Sequence, residues 1–214
     1  MRHIMLINPK GGCGKSTLAT NLASYYASEG YRVALVDYDS QASSVDWVKR
    51  RPKHLAPITA VEGYLYGLRY MPRNVDFVIL DAPARCQGPQ LTDLVKHADT
   101  IIVPVLPSSI DMQAAEKFIS ELKSKSRVAG RRAKVAVVAN RVKENTLIFD
   151  ELDQYLGKLR VPYVAALREA QNYIRAYTRG LGIYELPEYL AWPDWEQWDP
   201  LIEYLDSRRS KPVA

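Results

Sequence analysis

Pro9-Lys10-Gly11-Gly12-Cys13-Gly14-Lys15-Ser16-Thr17 is the stretch whose reading decides the fold. An apolar run, Ile4-Met5-Leu6-Ile7, precedes it, and Leu18, Ala19, Leu22, Ala23, Tyr26 and Ala27 follow at the three- and four-residue spacing of a helix. Strand, glycine-rich loop and helix in that order form the setting of a phosphate-binding loop. Glycines let backbone N–H groups close around phosphate oxygens with no Cβ in the way. The helix N-terminus adds unpaired N–H groups and partial positive charge. Lys15 is expected to reach the β- and γ-phosphates of ATP and the Ser16 hydroxyl to sit on Mg²⁺, with Gly11, Gly12, Cys13, Gly14 and Thr17 completing the cradle.

Around this loop, further apolar runs alternate with helical patterns. The runs are Val33–Val36, Phe77–Leu80, Ile101–Val105 and Val135–Ala139. Each is nearly all apolar, as a parallel strand covered on both faces requires. Helices are predicted near 16–29, 88–97, 110–125, 145–157, 168–178 and 194–208, with a compact turn over the Pro- and Trp-rich stretch 187–200. The alternation predicts a doubly wound, mostly parallel α/β sheet with helices on both faces, a single domain over residues 1–214. The aromatic group Tyr184, Tyr189, Trp192, Trp195 and Trp198 reads either as a cap packing the last helix or as a partner surface.

Composition narrows the class. With 47% hydrophobic residues in 214, the chain can bury a sizeable core. No run approaches the roughly 18 apolar residues of a membrane span. The start leads directly into a strand, so no signal peptide is expected. Cys13 and Cys86 lie far apart, with neither metal-ligand spacing nor a disulfide framework. The net charge of +5 is uneven. Residues 122–134 hold Lys123, Lys125, Arg127, Arg131, Arg132 and Lys134 with no acid, and residues 158–179 hold five bases against Glu169 alone. Lys49, Arg50, Arg51 and Lys53 form a third basic segment. This favours a polyanionic partner.

Asp81 follows four apolar residues at a strand end, the Walker B arrangement that holds Mg²⁺. The second strand runs into Val36-Asp37-Tyr38-Asp39-Ser40-Gln41. Ligands gather at such carboxyl ends in open α/β sheets.

The loop departs from G-x-x-x-x-G-K-[ST] at its first position, which is Pro9, and Lys10 follows directly. K-G-G-x-G-K-[ST] is the deviant Walker A motif, and here the chain resembles the ParA/MinD superfamily of ATPases, in particular short ParA-type partition and positioning ATPases that have no N-terminal helix-turn-helix. The resemblance implies that Lys10 reaches across a dimer interface to the partner's ATP, that Asp37 supports the metal shell, and that Asp39 positions the attacking water. Asn140 matches a family asparagine that hydrogen-bonds adenine, whose edge needs both a donor and an acceptor. The family usually reads D-x-D-P-Q and D-x-P-P, where this chain has Ser40 and Ala84 in place of prolines.

The resemblance further implies a cytoplasmic, nucleoid-associated homodimer assembled on ATP. Such a dimer is expected to bind nonspecific DNA, with its weak ATPase stimulated by a ParB-like or other cargo adaptor. The cargo would be a plasmid, a chromosome region or a protein assembly. Arg168, Arg175 and Arg179 are expected to share one helical face that contacts DNA phosphates. Two alternatives stay open. A MinD-like membrane ATPase needs an amphipathic C-terminal helix with Lys and Arg on its polar face, whereas the tail here carries acids, so no membrane contact is expected. A metabolic or electron-transfer enzyme on the same fold would need its own substrate pocket or cluster cysteines.

Overall fold

The computed structural model describes residues 1–212. In chain order the elements are β1 (Arg2–Leu6), α1 (Lys15–Ser28), β2 (Val33–Asp37), α2 (Ser43–Arg50), β3 (Ile58–Glu62), α3 (Gly63–Tyr66), β4 (Phe77–Asp81) and α4 (Gly88–Val95). There follow β5 (Thr100–Val105), α5 (Ser109–Ser124), α6 (Ser126–Ala129), β6 (Lys134–Val142), α7 (Leu147–Lys158), β7 (Tyr163–Arg168), α8 (Gln171–Thr178) and α9 (Glu188–Asp206). The seven strands form one parallel sheet in the order β3-β2-β4-β1-β5-β6-β7.

Alternate residues of each central strand feed opposite layers, which is why those strands read as unbroken apolar runs. Met5, Val36, Leu80, Val103 and Val137 pack with Leu91 of α4, Phe118 of α5 and Leu152 of α7. Ile4, Leu35, Ile79, Ile102 and Val138 pack with Leu22 of α1, Trp47 of α2, Ala176 of α8 and Trp198 of α9. The expected doubly wound α/β architecture is the one observed.

The edges differ from the sequence expectation. β3 carries no apolar run, and β7 has a short one, Val164–Leu167, that is only half covered: in β3 only Ile58 and Val61 are buried, and in β7 only Ala165 and Leu167. An edge strand has just one neighbour and less cover, so its pattern is diluted. Pairing with β6 holds residues 163–168 extended. The helix predicted over 168–178 therefore starts at Gln171, and Arg168 ends a strand instead. Arg168 does not share a helical face with Arg175 and Arg179.

The C-terminal reading also needs correction. Instead of a compact turn over 187–200, one helix runs from Glu188 to Asp206 through Pro193 and Pro200. A helical proline leaves the carbonyl four residues earlier without its N–H partner. Those carbonyls belong to Tyr189 and Glu196, both exposed to solvent. The opposite face buries Ala191, Asp194, Trp198, Leu201 and Leu205. The aromatic group thus divides: Trp198 is fully buried and donates to the Tyr173 hydroxyl, and Tyr184 stacks on Trp195, whereas Tyr189 and Trp192 are exposed.

Candidate nucleotide site

Residues 7–14 connect β1 to α1 at the carboxyl edge of the sheet, where the two flanking strands, β4 and β5, also end. Gly12 and Gly14 have φ of +77° and +92°, in the left-handed region that side chains disfavour. A Cβ on Gly14 would lie 2.2 Å from the Asn140 amide nitrogen, so that position excludes any larger residue twice over. α1 begins at once with no side-chain cap and no acid in its first turn, leaving its N–H groups and dipole for an anion.

The loop is braced from below. Asn8, buried and not singled out from sequence, donates to the Pro104 carbonyl at 2.7 Å and accepts from the Lys10 N–H at 2.9 Å. The Asn140 amide donates to the Cys13 carbonyl at 2.8 Å. Cys13 is wholly buried, and burial pushes its thiol up from the ordinary range. The Lys15 ammonium donates to the Lys10 carbonyl at 3.1 Å, curled over the cradle it is expected to serve. The Lys10 ammonium itself has no partner among the described residues.

Asp37 and Asp81 are register partners at the ends of adjacent strands. Asp37 spends both oxygens on backbone: one accepts from Asp39 N–H at 2.9 Å, the other from Ser44 N–H at 2.8 Å and Val45 N–H at 3.3 Å. It anchors the start of α2. Burial raises its pKa, and those three N–H groups offset part of the rise. Asp81 is less satisfied. Its Oδ2 accepts from the Ser44 hydroxyl at 2.7 Å, and its buried Oδ1 has no partner. Burial, then the charge of Asp37, pushes Asp81 up to about 7, against the pull of Ser16, Ser44 and Lys15. A buried carboxylate oxygen without a donor, with Ser16 close by, fits a hard divalent cation. Asp39 is half-buried, accepts from Gln41 N–H at 3.0 Å, and borders a cavity of about 1140 Å³ shared with Gly11, Gly63 and Pro83.

A second cavity, of about 310 Å³, is lined by Gly12, Gly14, Thr17, Asn140, Arg168 and Tyr173, among others. Thr17 and Asn140 therefore lie together at the foot of the loop. Arg168 joins them and is a correction: its Nε meets Asp194 at 2.6 Å, and its N–H donates to Gln197 at 2.8 Å. That charge is neutralised by a buried acid of the same chain, although the Arg168 side chain itself stays partly exposed. Arg51 is likewise withdrawn from its basic segment, its side chain buried in a two-pronged pair with Glu185. Arg127 pairs with Asp99, and Lys125 with Glu121. Arg175 and Arg179 remain exposed one turn apart, with no ion pair among the described residues. Gly180 packs onto the backbone of Arg50 and Arg51, which brings exposed Arg50 alongside them.

A parallel α/β sheet carrying a glycine loop, an uncapped helix N-terminus and paired strand-end carboxylates is a nucleotide-binding P-loop fold. The chain belongs to the CobQ/CobB/MinD/ParA family of nucleotide-binding domains, whose pattern matches residues 4–183. It is 29% identical over 189 residues to "Maintenance of carboxysome distribution protein A" of Halothiobacillus neapolitanus, covering 86% of this chain and 87% of that protein. Among solved structures, the MinD cell division protein of Aquifex aeolicus superposes with a TM-score of 0.75 at 18% identity, covering 100% of both chains. An ATP complex of a Cyanothece McdA variant superposes with a TM-score of 0.71 at 16% identity, covering 100% of this chain and 98% of that one. The expected ParA/MinD kinship and its fold are thereby established.

Two residues that brace the candidate site escaped the sequence reading. Asn8 precedes the glycine pattern, and Ser44 lies in an unremarkable Ser-Ser pair. Only the contacts with Lys10 and Asp81 reveal them.

Proposed function

We propose that this chain is a ParA-type positioning ATPase. It dimerises on ATP, binds DNA without sequence preference, and leaves the DNA when a cargo adaptor of ParB-like role stimulates hydrolysis. Mg²⁺ would be held by Ser16 and Asp81, neutralising phosphate charge, with Asp37 keeping α2 and Ser44 aligned beside it. Lys15 binds the β- and γ-phosphates, Asp39 orients water, and Asn140 meets adenine with the amide hydrogen and carbonyl that Cys13 leaves free. Dimerisation would set Lys10 on the partner's nucleotide.

The observation that carries this reading is Lys10. Its backbone is pinned on both sides, by Asn8 and by Lys15, while its ammonium group is uncommitted. A fixed backbone presenting a free cation suits a phosphate brought by another subunit. Exposed apolar residues support the same face as an interface: Leu65, Ile110, Leu147 and Ile174 all follow the carboxyl ends of strands, on the rim that carries the loop.

The exposed Arg50, Arg175 and Arg179 support DNA as the polyanion. They supply charge with no base-reading helix, so affinity should be sequence-blind and salt-sensitive, each neutralised phosphate adding about −0.9 to the slope of log K against log salt. The protein would then be cytoplasmic and nucleoid-associated. The membrane alternative gains no support: α9 carries six acids and neither Lys nor Arg, and it packs on β7. The carboxysome relative makes a protein assembly one candidate cargo beside a plasmid or chromosome region.

A gel shift on unrelated DNA sequences at low salt, with ATP, ADP or no nucleotide, tests the proposal. Retention with ATP alone, equal across sequences, is expected. No retention with ATP overturns it.

A further inference from the structure

We propose that Arg85 is a catalytic residue of the ATPase, a guanidinium that engages the terminal phosphate as its bond to ADP breaks; this rests on the ATP-hydrolysing reading above. Four independent observations converge on it.

The backbone N–H of Arg85 donates to the Pro9 carbonyl at 2.9 Å, tying the loop after β4 to the first residue of the phosphate-binding loop. Its φ is +60°, in the left-handed region. A bulky side chain there costs of order 1 kcal/mol, which glycine would avoid. A strained backbone persists where the surrounding structure holds it, and such strain gathers at functional sites.

Arg85 also stands on the ridge between two cavities. The one of about 1140 Å³ holds Asp39 and Gly11. The other, of about 520 Å³, holds Lys10, Gly11 and Lys117. The residue is therefore placed between the acid expected to orient water and the lysine expected to cross to the partner.

Finally, its charge is unspent. The Arg51, Arg127 and Arg168 guanidinium groups each meet a carboxylate. That of Arg85 has no ion pair and no hydrogen bond among the described residues. The acid bordering the smaller cavity, Glu121, is taken by Lys125 at 3.2 Å. Arg131 and Arg141 share the left-handed φ, but an arginine on an ordinary surface would need neither the tie to Pro9 nor the place between the two cavities.

The chemistry suits a guanidinium. A water oxygen forms a bond to the γ-phosphorus while the bond from that phosphorus to the β,γ-bridging oxygen breaks. The electron pair stays on ADP, and the water proton passes to solvent. Negative charge grows on the bridging oxygen and spreads over the transferred group. A planar fork of N–H donors matches two of those oxygens at once, which a lysine ammonium does not.

The test is steady-state ATP hydrolysis with Mg²⁺, together with calorimetric ATP affinity and thermal unfolding, for wild type and for Arg85→Gln, Arg85→Lys and Arg85→Gly. Arg85→Gln should lower kcat about a hundredfold and leave ATP affinity within about twofold. Arg85→Lys should recover only part of the rate. Arg85→Gly separates side chain from backbone: glycine accepts the observed φ, so this variant should unfold no earlier than wild type yet hydrolyse as slowly as Arg85→Gln. Wild-type kcat in Arg85→Gly overturns the proposal, as does an affinity loss matching the rate loss, which would make Arg85 a binding residue. Absence of hydrolysis in the wild-type protein overturns the ATPase reading itself, and this inference with it.

Discussion

Asp81 and Asp194 share one degree of burial, 1% and 0% exposed, and differ in everything around them. Asp194 faces inward from α9. Its two oxygens are met by Arg168 Nε at 2.6 Å and the Asn172 amide at 2.7 Å. Asp81 ends β4 with one oxygen bonded to a hydroxyl, the other without a donor, and a second carboxylate beside it. A buried acid that the fold satisfies holds the structure together. A buried acid that the fold leaves short is a standing cost, retained where a ligand from outside offsets it. The same contrast separates the arginines: Arg51 and Arg168 are spent on carboxylates, while Arg85, Arg175 and Arg179 are not.

The contrast breaks first if the under-satisfied rim does not bind nucleotide. Lys15→Ala should lose at least about a hundredfold in ATP affinity, because the β/γ-phosphates lose their ammonium in a partly dry site. Titration calorimetry showing wild-type affinity would falsify the assignment.

Asp194→Ala probes the satisfied side. Removing the buried acid leaves Asn172 and the partly exposed Arg168 without their acceptor, and urea unfolding should show a loss of about 2 kcal/mol. Nucleotide affinity of the folded protein should stay near wild type. A loss below about 0.5 kcal/mol would make Asp194 no more structural than a surface acid.

Asp81→Asn should have the opposite sign, stabilising the nucleotide-free protein by about 1 kcal/mol at neutral pH while abolishing Mg²⁺-dependent gain from ATP. The pH dependence follows from linkage. Folding raises the Asp81 pKa to about 7, so the native state holds a proton that the unfolded chain has released. The contribution of this group to stability is therefore present below about pH 4 and is lost as pH rises through about 7. The stability advantage of Asp81→Asn should widen between pH 5 and pH 7.5 in paired melts, and a constant gap would show that Asp81 is not held neutral.

The smallest stability effect belongs to Arg175→Glu, within about 0.5 kcal/mol. It should still weaken DNA retention for all sequences alike. Arg168→Gln should instead lower the melting temperature and leave the salt slope of DNA binding unchanged. If both variants act alike on DNA, the separation of spent from unspent arginines fails.

Legibility followed the same line. The central strands were readable because burial on both faces leaves an unbroken apolar signature. The edges were not: partial cover breaks the pattern in β3, and the four apolar residues Val164–Leu167 of β7 lead straight into a helical spacing that hid the strand. The phosphate-binding loop was readable because its demands are local: positive φ at Gly12 and Gly14, and an uncapped helix start. Asn8, Ser44 and Arg85 were invisible because each matters only through a contact, with Lys10, Asp81 and Pro9 respectively. The face assumed for Arg168, Arg175 and Arg179 failed at Arg168, where pairing with β6 overrode helical spacing.

The sequence by itself determined the alternation of strands and helices, the phosphate loop and the kinship with ParA and MinD, since these depend on residue type at short spacing. The tertiary structure alone decided which charges remain free, which strands lie at the edges and how a helix passes through Pro193 and Pro200. Ion pairs such as Arg51–Glu185 join residues more than a hundred positions apart, and no local pattern encodes whether a charge will find its partner.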